Sequence, residues 1–117
     1  MKKDAAALAT LLATTGVLHF AVPRPFDSIV PRSLPGSPRR WTYLSGAAEL
    51  AVAAAIAHPR TRKMGALAAA GLFAAVFPAN VKMAVDWRHA SPARRAIAFG
   101  RLPLQVPLVL WARRVAR

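Results

Sequence analysis

Residues 41–57, WTYLSGAAELAVAAAIA, decide how this chain is read. As a helix they reach about the minimum of 17 residues that a bilayer crossing needs. In their middle stands Glu49, the only acidic residue inside any long apolar run. A carboxylate at that depth costs about 2.5 to 3.5 kcal/mol on insertion scales, so one found there is paired, protonated or functional.

Outward from this stretch lie three more apolar segments, at residues 5–22, 64–85 and about 93–112. A hydrocarbon core of about 30 Å takes about 20 helical residues. The first two of these meet that length; the last is interrupted by Arg101, Pro103 and Pro107. Ser91-Pro92 supplies it with a start, a capping hydroxyl followed by a first-turn proline. The expectation is an all-α protein: a four-helix transmembrane bundle forming one integral membrane domain over residues 1–117.

Composition agrees with a membrane environment. The chain is 56% hydrophobic with mean hydropathy +0.33, and its formal charge is +13, from 17 Lys and Arg against 4 Asp and Glu. On a soluble protein that charge would suggest nucleic acid. Here the basic residues gather at the edges of apolar runs, as Arg39-Arg40, Arg60, Arg62-Lys63, Arg94-Arg95 and Arg113-Arg114. Such edges anchor helices at lipid headgroups, which makes the bilayer the partner and excludes nucleic acid. No cysteine is present, so thiol relays and thiolate metal sites are excluded.

Met1-Lys2-Lys3 ahead of residues 5–22 resembles a secretory leader. Asp4 and the lack of a small-residue cleavage site near Pro23 argue for a retained helix. Alanines at spacings of four (Ala5, Ala9, Ala13; Ala47, Ala51, Ala55; Ala66, Ala70, Ala74) suit close helix packing in lipid. An alanine- and arginine-rich composition explains the same stripes, so they do not identify contacts.

Residues 23–40 differ. Pro23, Pro25, Pro31, Pro35 and Pro38 forbid one continuous helix, yet Phe26, Ile29, Val30 and Leu34 are too apolar for a free linker. This proline-rich loop between the first two helices is expected to fold against the bundle end.

Four crossings put both termini on one side and this loop on the other. At 1.5 Å per residue, Glu49 lies about 12 Å in from the loop side. His19 ends the first helix there, Asn80 and Lys82 end the third, and Arg101 and Gln105 begin the fourth. The polar residues thus share one half of the bundle, which suggests a cavity roofed by the loop. Its candidate ligand-binding or proton-handling residues are Glu49, His19, Ser45, Asn80, Arg101 and Gln105.

Plainer readings stand beside these. His19 can serve at the headgroup boundary, Lys82 can pair with Asp86 one turn on, and Arg101 can pair with Glu49 as a structural ion pair. Ser45, one turn before Glu49, can hydrogen-bond it. The histidines are scattered, so no metal site is expected. Pro78 and Pro107 each free a carbonyl one turn back, which at membrane depth needs a partner.

His19-Phe20, Pro25-Phe26, Ile29-Val30-Pro31, Leu34-Pro35, Ser45-Gly46 with Glu49, and Phe77-Pro78-Ala79-Asn80 together resemble the DoxX-like family of small membrane proteins, over roughly residues 16–107. The resemblance implies a four-helix, multi-pass protein of the bacterial cytoplasmic (inner) membrane, associated with redox systems. It carries no catalytic residue over to this chain. Three functions follow for testing. The first is an accessory or partner-binding component with a pocket for a small or lipid-soluble ligand, alone or as a homo-oligomer. The second is a quinone-linked oxidoreductase subunit, and the third a small proton-coupled exporter. No flavin or haem motif is present, which argues against autonomous catalysis and leaves a quinone or lipid as the candidate bound molecule. Orientation is close to balanced: 8 basic residues flank the terminal side and 7 the loop side.

Overall fold

A computed structural model describes residues 3–117; Met1 and Lys2, part of the basic N-terminal flank, lie outside the described residues. Helix accounts for 81% of the described chain, and no strand occurs within it. In order the elements are α1 (Lys3–Ala21), α2 (Pro23–Asp27), α3 (Pro38–Ala57), α4 (Arg62–Ala75), α5 (Phe77–Asp86) and α6 (Pro92–Ala116).

Local chemistry sets these limits. Ser37 accepts from the Arg40 backbone N–H at 3.3 Å and Pro38 follows it, so α3 begins before Trp41. Arg62 closes the other end, donating from Nε to the Ile56 carbonyl at 2.9 Å and from Nη2 to that of Ala57 at 3.3 Å. Those carbonyls have no partner within their own helix, which is why a basic side chain suits the position. The segment expected at 64–85 is two helices meeting at Val76. Pro78 removes a backbone donor and is tolerated in the first turn of α5. The segment expected to be interrupted, about 93–112, is instead one helix running through Pro103 and Pro107 to Ala116. Ser91 caps its start, accepting from Arg94 N–H at 3.4 Å.

α1 pairs most extensively with α3, and α4 with α6; α3 against α4 joins the two pairs. An ion pair of 3.0 Å between Asp4 and Arg114 holds the two chain ends together. The α1 face that packs inward reads Ala5, Leu8, Ala9, Leu12, Gly16 and His19, the three-and-four spacing of one helical stripe. Its Ala5, Leu8, Ala9 and Leu12 form the main apolar core at the terminal end with Ala53, Ile56, Ala69, Phe73 and Ala112, and Gly16 and His19 continue the stripe toward the loop. The sequence stripes lie partly elsewhere: Ala47, Ala51 and Ala74 are exposed, and α3 packs through Thr42, Gly46, Ala53 and Ile56.

Two glycines make the α1–α3 pair close. A Cβ on Gly46 would sit 2.7 Å from His19 Cβ and 3.1 Å from the Gly16 carbonyl; one on Gly16 would meet Leu50 Cγ at 2.9 Å. Only hydrogen fits at either place. This approach brings the polar residues of α1 within reach of Glu49.

Among the described residues two helical stretches, Lys3–Ala21 and Arg62–Asp86, are long and apolar enough to cross a membrane. α3 carries Arg39, Arg40 and Glu49, and α6 five arginines, which lowers their hydropathy below that of the other two.

Candidate functional site

Glu49 points between α1 and α3. Thr15 Oγ1 donates to its Oε2 at 2.6 Å, and His19 Nδ1 lies 3.7 Å from the same oxygen. His19 Nδ1 is 2.6 Å from the Thr15 carbonyl. A carbonyl can only accept, so Nδ1 carries the hydrogen and donates there. The imidazole is thus fixed by its own helix, and it lies near Glu49 without bonding to it. Its ring stacks on Phe26, with centroids 3.8 Å apart, so α2 seals the outer side of the site.

Around Glu49 lie two adjoining cavities. The inner one, about 150 Å³, is lined by Thr15, His19, Thr42, Ser45, Glu49, Asn80 and Arg101, with Phe26, Ile29 and Val30 above. The outer one, about 400 Å³, is mostly apolar and runs beneath Val30, Pro31 and Leu34 to Trp41, Leu72 and Pro78. Val30, Ser45, Glu49, Val76 and Ala79 border both, which puts the carboxylate at the seam.

Asn80 carries the unmet hydrogen bonds of this site. The residue is 1% exposed, and neither its Oδ1 nor its Nδ2 has a hydrogen-bond partner among the described residues. A buried polar group left unpaired costs about 1 to 3 kcal/mol, and such groups in native proteins point to a ligand or ordered water.

Five of the six sequence candidates, Glu49, His19, Ser45, Asn80 and Arg101, line the inner cavity. Gln105 does not. It lies further along α6, in an apolar groove with Ala74, Phe77, Leu102 and Val106. The hydroxyl bonded to Glu49 belongs to Thr15, across the helix pair, and not to Ser45. Arg101 forms no ion pair with Glu49; its Nη1 donates to Met83 Sδ at 3.3 Å. Lys82 pairs with Asp86 and also donates to the Ser28 carbonyl at 3.1 Å, tying the loop to α5.

The loop over the cavities is fastened at further points. Asp27 accepts from Arg39 Nε at 2.8 Å and from Thr42 Oγ1 at 2.5 Å, and Trp41 Nε1 donates to the Pro35 carbonyl at 2.6 Å. Burial alone would raise the Asp27 pKa. The hydrogen bonds from Thr42 and Arg39, with the Arg39 charge, outweigh it and hold the group below the usual 3.8. Thr15, Asp27 and Thr42 were not among the sequence candidates. Thr15 had a signal: it continues the stripe of Leu8 and Leu12 to His19. Asp27 had a weaker one, as the sole acid in a loop of arginines.

A larger groove of about 870 Å³ runs outside the loop along Arg32, Phe77, Val81 and Asp86 and does not reach Glu49. Among the described residues no cluster of His, Asp and Glu could hold a metal ion.

This arrangement, two helix pairs with cavities beneath the loop, defines a small all-α protein. The chain belongs to the family described as Domain of unknown function (DUF8561), whose model matches residues 8–116 and so covers every element that borders the chamber. No curated protein and no solved structure matches it.

Proposed function

We propose that this chain is a multi-pass membrane protein that holds a small lipid-soluble molecule in the chamber beside Glu49, as an accessory component of a larger system. The single observation that carries the reading is Asn80, fully buried with both amide atoms unpartnered against a cavity. Leaving such a group unbonded is costly, and a bound molecule with matching polar atoms would relieve that cost.

Membrane placement has its own support. Four rods (α1, α3, α4 with α5, and α6) of 19 to 25 residues would cross the bilayer, the cytoplasmic membrane of a bacterium in this proposal. The molecule is 45 Å long, close to the roughly 40–45 Å of a bilayer with its headgroups. Seventeen large apolar side chains among the described residues face outward, from Val17 and Leu18 on α1 to Val106 and Leu110 on α6. In water that surface would be an aggregation liability; in lipid it is the solvated face. The resemblance to the DoxX-like family agrees with this reading.

Native mass spectrometry of gently extracted protein tests it. A co-purifying small molecule is expected with the wild type and absent from Ala79→Phe, which fills the seam of the two cavities. A quinone-linked oxidoreductase subunit is the second reading, favoured by one observation: the carboxylate that borders the apolar cavity lies 3.7 Å from an imidazole. Quinone reduction that is lost in Glu49→Gln with the fold intact would select it.

A further inference from the structure

The geometry points to the chemical class of the occupant: an uncharged amphiphile whose polar end carries a hydrogen-bond donor and an acceptor side by side, as a primary carboxamide does. This rests on the reading of the chamber as a binding site and specifies what it selects.

Asn80 dictates the donor–acceptor end. Its side chain offers two N–H donors and one carbonyl acceptor from the same plane, and both sides are unpartnered in a residue 1% exposed. One ligand group can satisfy both only by presenting the complementary pair. A ketone or an ether answers the Nδ2 side alone and leaves Oδ1 buried without a donor.

Charge sets the second requirement. Glu49 and Arg101 line the same inner cavity, and Arg101 is bonded to a thioether sulfur and not to an acid. A carboxylate end pairs with Arg101 only against repulsion from Glu49, and an ammonium end pairs with Glu49 only against repulsion from Arg101. An end without net charge avoids both conflicts, and its N–H can also approach the Glu49 carboxylate at the seam.

Shape supplies the third. The inner cavity of about 150 Å³ admits a small polar group, whereas the outer one of about 400 Å³ is bordered by Leu34, Trp41, Leu72 and Pro78. The polar end therefore lies beside Asn80, and an apolar body passes Glu49 to rest under the loop.

Two probes differ in one group: decanamide, and its methyl-ketone isostere in which the NH2 is a CH3. Binding is read from Trp41 emission in lipid nanodiscs, with Trp87 and Trp111 replaced by Phe so that the tryptophan at the outer cavity is the reporter. Decanamide is expected to bind about tenfold more tightly than the ketone, the worth of one buried hydrogen bond. Asn80→Leu, which gives up no intramolecular hydrogen bond, is expected to bring the two affinities together. Ala79→Phe is expected to abolish both. Equal binding of the two probes by the wild type, with both lost in Ala79→Phe, overturns the donor–acceptor class and leaves the binding site standing. Emission changes for neither probe, or changes that survive Ala79→Phe, overturn the binding site itself.

Discussion

Thr15 on α1 donates a 2.6 Å hydrogen bond to Glu49 on α3, and this bond joins the two helices at their polar end. It forms because Gly16 and Gly46 let the backbones approach until the carbonyl of each would contact a Cβ on the other at 3.1 Å. Close packing and the polar contact are thus one feature.

Substituting that glycine pair should therefore disturb both. Gly46→Ala is expected to destabilise the protein by about 1 to 3 kcal/mol, the usual cost of overpacking, and to weaken the Thr15–Glu49 contact. Gly71→Ala and Gly100→Ala, where an added Cβ meets nothing within 4 Å, should stabilise by about 0.5 to 1 kcal/mol. Thermal unfolding in detergent separates the cases; equal effects at the three sites would contradict the close approach.

Thr15→Val removes the donor to Glu49 while keeping the shape. Interhelical hydrogen bonds of membrane proteins are worth about 0.6 kcal/mol on average, so a small loss of stability is expected. Thr15→Val combined with Glu49→Ala, which removes the acceptor, should lose less than the two single changes added together, because both remove the same contact. A strictly additive result would show that the two side chains act separately.

Asp27 makes the attachment of the loop sensitive to acid. Its carboxylate is stabilised in the folded state, so its pKa is lowered there and unfolding takes up a proton. The contribution is complete above the unfolded value of about 3.9 and is lost as pH falls through the lower folded value. Hydrogen exchange of residues 28–36 should rise only below that window, and Asp27→Asn should show the raised exchange at every pH. Exchange that rises already between pH 5 and pH 6, about one to two units above the window, would refute the assignment.

The absence of native cysteine makes single-cysteine labelling direct. With four crossings, Ser33→Cys and His89→Cys should react with an impermeant maleimide from one side of the membrane, and Arg60→Cys and Val115→Cys from the other. Ser33→Cys and Arg60→Cys reacting from the same side would rule out that topology.

What the sequence determined by itself follows from composition and local rules. Apolar runs with basic edges specified helices, Ser91-Pro92 marked the start of α6, and its place as the lone acid inside a long apolar run marked Glu49. Depth along each helix also follows from a fixed rise per residue, so His19, Glu49 and Asn80 could be set at one end of the molecule. Rotation about the helix axes could not. Alanine stripes run on several faces at once, and only packing chose the face with Thr42 and Gly46 over that with Ala47 and Ala51. The same choice gave Glu49 to Thr15 and not to Ser45 or Arg101, and it sent Gln105 to a different groove. Continuity through Pro103 and Pro107 was likewise legible only in the structure, where α6 packs against α4 and α5. Partners that lie on different helices depend on how those helices turn toward each other, and that is decided only when all of them pack.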